Sequence, residues 1–367
     1  MKELFRVISE TEKERFDAFV QSSPNGHIFQ SYLWGEIKKP AWLPLRVVFE
    51  ESGRILAAAS VLKRKIPLLN KSFFYLPRGP VLNNWDNSRL FEVFMEHLRR
   101  LAESEGAVFI KIDPCLLEER VAPAESLIRA GLIPAGGAYK FGGFQPRYTF
   151  RLDISKSMAE IMESFPKKIR YKIRYGSGKG LVFQYPGEAG LAPFLKIMQQ
   201  AGRRRDFALR SPEYFYKLYR TLDQANAINL VLGYYLNQAV IGGITLVYGD
   251  QAWAVYGAQD ESCRHLYAYH ALIWERIKWA KSMGARWFDF YGVPGSVDES
   301  DPMYGLYYFK KSFGGQFCAF IGEKDLVLSP GLYWLWASCF PAARQLMLKL
   351  AKGSFNFRFY QQRRGKL

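Results

Sequence analysis

The stretch that decides the fold is LRVVFEESGRILAAASVLKR, residues 45–64, together with INLVLGYYLNQAVIGGITLVYGD, residues 228–250. Each consists of two apolar runs separated by a turn, at Glu51-Ser52-Gly53 in the first stretch and at Asn237 in the second. Apolar runs of this length around a short polar turn are typical of β-hairpins. The sequence therefore predicts one hairpin in each half of the chain.

The likeness between the halves continues beyond the hairpins. A third strand is predicted at residues 72–81 in the first half and at residues 251–259 in the second. Gly79 and Gly257 occupy matching places in these strands, 178 positions apart. A repeat at a constant offset indicates that one structural unit occurs twice.

An amphipathic helix and a buried strand complete each unit, at residues 90–114 and 268–294. Gly106 and Gly284 stand where each helix is predicted to end, because glycine readily adopts the left-handed conformation of a C-cap. The order hairpin, strand, helix, strand predicts an α/β fold with mixed sheets. With 367 residues, we expect domains at 1–147 and 148–320, followed by a tail at 331–367.

The charge balance indicates an anionic partner. Lys and Arg number 51 against 34 Asp and Glu, a net charge of +17. Such a surplus is typical of proteins that bind nucleic acid, an anionic membrane or a phosphorylated substrate. The run KKIRYKIRYGSGK at residues 167–179 predicts a helix with Ile169 and Ile173 inward and a cationic face outward. That face is either a solvated surface or a contact for RNA or lipid.

Metal and disulfide sites are not predicted. The four cysteines form no CxxC pair, and His265 and His270 miss the four-residue spacing that places two ligands on one helical face. The charged N-terminal stretch lacks the apolar core of a secretion signal, so we expect a monomeric cytoplasmic protein.

The tail combines aromatic and basic residues. Residues 331–343 are uncharged, and after Asp325 seven Lys or Arg and no acid occur. The stretch is too short to span a bilayer, which needs ~20 apolar residues. Trp334, Trp336 and Phe340 fit a helix at a membrane interface, and equally a helix packed on the body of the protein.

The predicted element order resembles that of GNAT acyltransferases, in which two central strands splay apart to admit the acyl donor. Coenzyme A users of that fold carry a Q/R-x-x-G-x-G/A loop that binds pyrophosphate at a helix N-terminus. The corresponding stretches, residues 79–94 and 260–275, lack this glycine pattern. The resemblance therefore implies a donor other than a coenzyme A thioester.

Several segments, in order along the chain, resemble the Fem family of aminoacyl-tRNA-dependent transferases that form peptidoglycan bridges. They are FQSYLWGEIKK (29–39), YLPRGPV (75–81), FIKIDP (109–114), FQPRYTFRLDIS (144–155), RSPEYFYKLY (210–219), YGLYYFKKSFGG (304–315) and IGEKDLVLSP (321–330). The resemblance implies two tandem GNAT-like domains, the first completed by a strand near 321–330. The long coiled-coil arm of some members is absent from this sequence.

The implied reaction moves an amino acid, such as Gly, Ala or Ser, from its tRNA to the side-chain amine of the third stem-peptide residue. The acceptor would be lipid II or UDP-N-acetylmuramoyl-pentapeptide, with contact to an anionic membrane as a further expectation. No cofactor is implied, since aminoacyl-tRNA is a co-substrate.

The resemblance also implies roles for individual residues. Phe309 and Lys310 match a pair that holds the aminoacyl-tRNA end, with the lysine at the reacting centre; otherwise Lys310 is a solvated lysine beside Lys311. An ammonium there would stabilise the tetrahedral oxyanion. Asp113 matches a family aspartate and either orients the acceptor amine or caps a loop.

The resemblance assigns acceptor binding to a second set of residues. Arg210 and Tyr214 match residues that hold the acceptor's phosphate and muramyl parts, and Tyr256 either lines the same site or packs in the core. The family's phosphate-binding lysine aligns with Glu36, which leaves Lys38 as the nearest candidate.

The remaining predicted site residues leave more alternatives open. Glu323 is either a site carboxylate or a structural partner of Lys324 or an arginine. The tRNA- or membrane-binding candidates on the basic run are Lys168, Arg170, Lys172 and Arg174. Two alternative functions remain: a GNAT-fold N-acyltransferase that uses coenzyme A or another donor, and a non-catalytic RNA- or membrane-binding scaffold.

Overall fold

The computed structural model describes residues 3–67, 69–135, 143–205 and 209–338. The strands are β1 (Glu3–Val7), β2 (Leu43–Glu51), β3 (Arg54–Lys65), β4 (Ser72–Leu76), β5 (Val81–Leu82), β6 (Ala107–Ile112), β7 (Ile133–Pro134), β8 (Tyr148–Asp153), β9 (Val182–Gln184), β10 (Ile228–Tyr235), β11 (Gln238–Tyr248), β12 (Gln251–Gln259), β13 (Trp287–Asp289), β14 (Gln316–Ala319) and β15 (Lys324–Val327). The α-helices are α1 (Lys13–Ser22), α2 (Tyr32–Lys38), α3 (Ser88–Ser104), α4 (Val121–Arg129), α5 (Met158–Ser164), α6 (Lys167–Gly178), α7 (Leu191–Arg205), α8 (Pro212–Asp223), α9 (Ala268–Ser282) and α10 (Tyr304–Lys311).

Two mixed sheets form the body of the protein. The first has the order β1-β2-β3-β4-β6-β15-β7, with β5 also paired to β3. The second has the order β14-β8-β13-β12-β11-β10-β9. In each sheet a hairpin leads into a strand, and a helix then crosses over to a parallel neighbour, through α3 in the first and α9 in the second. The predicted α/β class and the repeated unit are confirmed.

The two repeats differ at their central parallel pair. In the first sheet, β4 and β6 remain paired to their ends, at Leu76 and Ile112. In the second, β12 and β13 share only three pairs, which end at Trp253 and Asp289, while β12 continues for six more residues. The strands of the second sheet therefore diverge and leave a gap beside the second part of β12.

Strand β15 lies in the first sheet although it follows the second sheet in the sequence. It pairs antiparallel with β6, with Val327 opposite Phe109, and on its other side with β7. Leu326 is buried in the core between this sheet and α3. The chain therefore crosses between the halves twice, at residues 145–147 and just before residue 324.

A buried arginine explains the glycines of the second hairpin. Arg276 on α9 is 2% exposed, and its guanidinium donates to Thr245 Oγ1 at 2.8 Å and to the carbonyl of Ile244. Gly243 and Gly257 face each other across β11 and β12. A Cβ at Gly243 would lie 3.0 Å from the guanidinium, so this residue provides the space that Arg276 occupies.

Replacing this arginine should destabilise the fold. In Arg276→Met the Ile244 carbonyl and the Thr245 hydroxyl lose a buried donor, and an unsatisfied buried polar group costs about 1–3 kcal/mol. We therefore expect a lower free energy of unfolding in urea. Lys278→Met, an exposed change two residues along the same helix, should alter it by less than about 0.5 kcal/mol. Equal urea midpoints for the two variants would contradict this account.

The start of the tail packs on the first sheet. Residues 330–338 are helical. The Trp336 ring lies 5.0 Å from that of Phe73 and 5.8 Å from that of Phe109, and Tyr333 donates to Asp325 Oδ2 at 2.8 Å. This agrees with the packed-helix alternative for Trp336, whereas Trp334 is 68% exposed.

The rest of the predicted interface segment, including Phe340 and the seven basic residues from Arg344 to Lys366, lies outside the described residues. Within the described ranges, no helix is both long and apolar enough to cross a bilayer.

Candidate active site between the two halves

A narrow cavity lies where the two halves of the chain meet. Side chains from the first half line one part of it and those from the second half line the rest; they include His27, Arg78, Cys115, Trp253, Asp289 and Tyr291. The linking segment closes one side, because Arg78 Nη2 donates to the Pro146 carbonyl at 2.6 Å. Tyr291 donates its hydroxyl to Gln145 Oε1 at 2.9 Å. The cavity is therefore held from both halves.

Lys310 occupies the last turn of α10 and points toward this cavity. Its Nζ donates to the carbonyl oxygens of Tyr291 at 2.6 Å and Gly292 at 2.8 Å. Burial lowers the pKa of Lys310 to about 7, an effect that the Asp289 carboxylate partly opposes. The two carbonyls engage two of the three protons of an ammonium. One donor then remains for a substrate oxygen.

The backbone of Tyr291 is shaped to hold this lysine. Its φ is +59°, a left-handed conformation that bulky residues rarely adopt. The Tyr291 amide donates to Asp289 Oδ1 at 2.6 Å, and Thr149 Oγ1 donates to the same oxygen at 2.5 Å. Strained residues of this kind cluster at functional sites. Here the strain turns two consecutive carbonyls toward Lys310.

Phe309 precedes Lys310 on α10 and packs against α9. Its ring packs edge-on against Tyr269 at 5.3 Å, His270 at 5.0 Å and Phe313 at 5.4 Å. These contacts fix the orientation of α10. Phe309 therefore sets where Lys310 points, and its ring is only partly buried.

Asp113 follows β6 directly and is 2% exposed. It accepts hydrogen bonds from the Tyr75 hydroxyl at 2.9 Å and from the Arg78 amide at 2.5 Å. Burial raises the pKa of Asp113 to about 7, and the Arg78 guanidinium opposes this rise. A carboxyl group that titrates near neutrality is suited to proton transfer. The loop-cap alternative also holds, since Asp113 fixes the turn at Arg78.

Glu323 forms an ion pair with Lys111 on β6, whereas the predicted structural partner was Lys324 or an arginine. Its carboxylate lies 3.3 Å from Lys111 Nζ, on the neighbouring strand β6, and accepts from the Phe144 amide. The same Nζ lies 2.8 Å from Asp325 Oδ1. Because Lys324 lies next to Glu323 along an extended chain, its side chain points to the other face of the sheet.

A second polar group joins α2 to α8 across the halves. Lys38 Nζ donates to the Tyr214 hydroxyl at 3.1 Å and lies 4.1 Å from the centre of the Trp34 ring. The Arg210 guanidinium is 5.4 Å from the centre of the Tyr214 ring. Burial, aided by the nearby Arg210 cation, lowers the pKa of Lys38 to about 7. Two cations that repel each other favour an anion between them.

Tyr256 lies in the second part of β12, beyond the last residue that pairs with β13. It packs edge-on against Phe215 at 4.9 Å, and its hydroxyl interacts with that of Tyr214. The structure therefore brings Lys38, Arg210, Tyr214 and Tyr256 together at the gap in the second sheet.

Glu36 belongs to a different arrangement. It lies 2.7 Å from Arg46 Nη2 and 2.8 Å from Lys39 Nζ. Lys38 follows Trp34 by four residues, one helical turn, so the two side chains share a face of α2. Lys38, and not the aligned Glu36, is therefore the side chain that meets Arg210 and Tyr214.

The basic helix α6 packs beside α9 with Ile169 and Ile173 buried, as predicted. It does not line the cavity. At 100° per residue, Lys168 and Lys172 share one stripe of the helix, whereas Arg170 and Arg174 share another, on the opposite side. Among the described residues, none of these four side chains is part of an ion pair within 4 Å.

The sequence analysis missed Tyr291 and Arg78. Burial raises the pKa of the Tyr291 hydroxyl, Arg78 lowers it, and Tyr256, Asp289 and Asp113 raise it further. Tyr291 therefore lies among the groups that flank the cavity. Arg78 stands in the quoted motif YLPRGPV, Tyr291 falls in the predicted helix and strand at residues 268–294, and both have positive φ. In the sequence, each of these two residues directly precedes a glycine near the end of a predicted strand. That position was the signal that could have identified them.

The comparisons with known proteins identify the family. The FemAB family model matches residues 11–235 and 234–339, which together cover most of the chain. The chain belongs to the FemAB family. Among similar curated proteins, the lipid II:glycine glycyltransferase of Staphylococcus haemolyticus is 27% identical over 92% of this chain and 97% of that protein. The enzyme of the same name from Staphylococcus aureus strain MRSA252 is 25% identical, with the same coverage.

Solved structures support the fold assignment of this FemAB member. The crystal structure of FemX superposes with a TM-score of 0.83 over 92% of this chain and 100% of that chain, at 24% identity. A tandem GNAT protein of clavulanic acid biosynthesis superposes with a TM-score of 0.55 over 89% of this chain and 98% of that chain, at 10% identity. The tandem GNAT-like fold and the class of aminoacyl-transferring enzyme are therefore confirmed.

Proposed function

We propose that this FemAB protein transfers an aminoacyl group, glycyl as in its named relatives, from aminoacyl-tRNA to a lipid-linked peptidoglycan precursor. The acceptor group is the side-chain amine of the third stem-peptide residue. The observation that carries this proposal is the Lys310 ammonium, held by two backbone carbonyls with one donor left over beside a cavity shared by both halves.

The reaction is aminolysis of an ester. The acceptor nitrogen attacks the ester carbonyl carbon, a C–N bond forms, and the carbonyl oxygen becomes an oxyanion. The oxyanion then collapses, the C–O bond to the tRNA ribose breaks, and the ribose oxygen takes up the proton that the amine has lost. A donor fixed in advance near the oxyanion lowers the barrier most, because it need not reorganise.

The other groups divide the remaining work. Asp113, with a pKa of about 7, accepts the proton of the attacking amine and then gives a proton to the departing ribose oxygen. Lys38 and Arg210 hold the pyrophosphate of the acceptor, since cationic side chains form strong charge-assisted bonds to phosphate. Tyr214 and Tyr256 position the sugar next to it. Binding energy from these remote contacts aligns the amine with the ester.

Transfer of radiolabel tests this proposal. The purified protein is given total tRNA charged with [14C]glycine, and lipid II or UDP-N-acetylmuramoyl-pentapeptide as acceptor, with and without RNase. We expect RNase-sensitive label in lipid II. Label that appears only in the soluble precursor would contradict the lipid-linked acceptor. No transfer to either, with transfer of acetyl from labelled acetyl-coenzyme A to an amine, would overturn the reaction.

The pH dependence of the transfer rate should reveal the protonation state of Lys310. If the ammonium acts on the oxyanion, the rate falls as pH rises through about 7, the pKa of Lys310. An arginine stays protonated in this range. The ratio of the Lys310→Arg rate to the wild-type rate should therefore rise with pH between 6 and 9, about tenfold per pH unit at the upper end. The acceptor amine titrates in both proteins and cancels in the ratio, so a flat ratio would exclude this role.

A further inference from the structure

Three tyrosines on α6 and at the start of α9 form a row, here named the tyrosine track: the exposed Tyr171, the half-buried Tyr175 and the exposed Tyr267. The rings of Tyr171 and Tyr175 lie 5.5 Å apart, and so do those of Tyr175 and Tyr267. Tyr171 is 58% exposed and Tyr267 is 36% exposed. Tyr267 has a φ of +50° at the start of α9, an unusual conformation for an aromatic residue.

The track leads to the active site. The Tyr267 ring lies 6.0 Å from that of His270, and the His270 ring lies 5.0 Å from that of Phe309. Lys310 is the next residue after Phe309. The His270 Nδ1 is buried and has no hydrogen-bond partner among the described residues. The row of rings therefore continues from the track through His270 to Phe309, the residue that precedes Lys310.

Lysine side chains lie beside the tyrosine rings of the track. Lys172 Nζ lies 5.2 Å from the centre of the Tyr267 ring, and Lys179 Nζ lies 5.7 Å from that of Tyr175. Burial lowers the pKa of Lys172, and the nearby Lys168 cation lowers it further. None of these lysines forms an ion pair within the described residues. Their charges are therefore available to a polyanion.

The composition of this surface favours nucleic acid over a membrane. A helix that lies in a lipid interface presents a face of Leu, Phe or Trp to the acyl chains. The apolar side chains of α6, Ile169 and Ile173, are both 4% exposed and pack inside the protein. Its exposed rings are tyrosines between lysines, the combination on which unpaired bases stack while the phosphates are neutralised.

We propose that the tyrosine track binds the unpaired nucleotides of an RNA 3′ end and guides them to Phe309 and Lys310. The inference rests on the proposed function, because it gives the aminoacyl-tRNA its path. Bases stack on Tyr171, Tyr175 and Tyr267, while Lys168, Lys172 and Lys179 contact the phosphates. The terminal ester then arrives beside Lys310.

Two labelled RNA hairpins test the track by fluorescence anisotropy on the full chain. One ends in four unpaired 3′ nucleotides and the other is blunt, so their affinity ratio measures recognition of the unpaired end. We expect wild type to prefer the overhang. Tyr171→Ala should reduce that preference roughly 5- to 150-fold, because stacking on an aromatic ring contributes this much per base. Tyr171→Phe, which keeps the ring, should retain it.

Lys196→Ala is the matched control. It removes an exposed charge from α7, which carries none of the track residues, so it should leave the affinity ratio of the two hairpins unchanged. A wild-type protein that binds both hairpins equally would overturn the track. So would Tyr171→Ala with an unchanged ratio, or loss of binding to phosphatidylglycerol vesicles in that variant with no change in the RNA ratio.

The transfer assay separates this proposal from the proposed function. RNase-sensitive transfer by wild type together with an unchanged ratio in Tyr171→Ala would overturn the track alone. Absence of RNase-sensitive transfer would overturn the proposed function and the track with it. Because Tyr171 is exposed, its variants should retain the urea midpoint of wild type.

Discussion

Lys310→Ala should lower kcat for aminoacyl transfer by about 10²- to 10³-fold, the usual cost of removing one oxyanion donor. KM for the acceptor should change little, because Lys310 acts on the ester and lies apart from Lys38 and Arg210. The two carbonyls of Tyr291 and Gly292 would lose their cation in this variant. The measurement is single-turnover transfer of [14C]glycine to lipid II.

Two further variants make this result specific. Lys311→Ala removes the next cation, which lies over the half-buried Tyr307 ring and the exposed Tyr308 ring, and should transfer at nearly the wild-type rate. Lys310→Met keeps the length of the side chain without its charge and should be as slow as Lys310→Ala. A Lys310→Met enzyme with wild-type kcat would show that the charge of the lysine has no part in the reaction.

The double variant Lys38→Ala, Arg210→Ala should lower kcat/KM for lipid II by about 10²- to 10⁴-fold, because each charge-assisted bond to phosphate contributes about 1.5–3 kcal/mol. The loss should lie mainly in KM, since both side chains are placed to hold a part of the acceptor remote from the reacting amine. Burial and the nearby Arg210 cation lower the pKa of Lys38 to about 7, and among the described residues Lys38 forms no ion pair.

A truncated acceptor distinguishes the loss of phosphate binding from a general loss of enzyme activity. A stem peptide without the pyrophosphate should react equally slowly with wild type and with the double variant. Arg220→Ala provides the control on α8, the helix that follows Arg210, because Arg220 is exposed and already paired with Glu188 at 2.7 Å. It should leave KM for lipid II unchanged. Equal losses with the truncated peptide and with lipid II would contradict a phosphate site.

Local sequence patterns were sufficient for the elements of the fold. The hairpin turns, the strands that follow them and the inward face of α6 all depend on side chains within about one element's length. Gly106 and Gly284 have φ of +66° and +84°, as the predicted helix ends require. The repeat itself is a comparison of the sequence with itself. None of these steps needs to know which elements meet in space.

The assignment of site residues depended on the family resemblance and could be refined only by the structure. The resemblance aligned Glu36 with the family's phosphate-binding lysine and left Lys38 as the nearest candidate. In the structure, the helical register of α2 brings Lys38 into contact with Tyr214, 176 positions away. For Glu323 the sequence offered a neighbouring lysine, but the structure places it against Lys111 on β6. Strand pairing across 212 positions decides that contact.

The sequence by itself thus determined the duplicated α/β unit, the basic character and the motifs that resemble the family. Only the tertiary structure decided which side chains share the cavity, how the pKa values of Lys310, Asp113 and Lys38 shift, and that the tyrosine track reaches Phe309. The physical reason is the range of the interactions. Secondary structure follows from neighbours along the chain, whereas burial and electrostatic coupling depend on groups that only folding brings within a few ångströms.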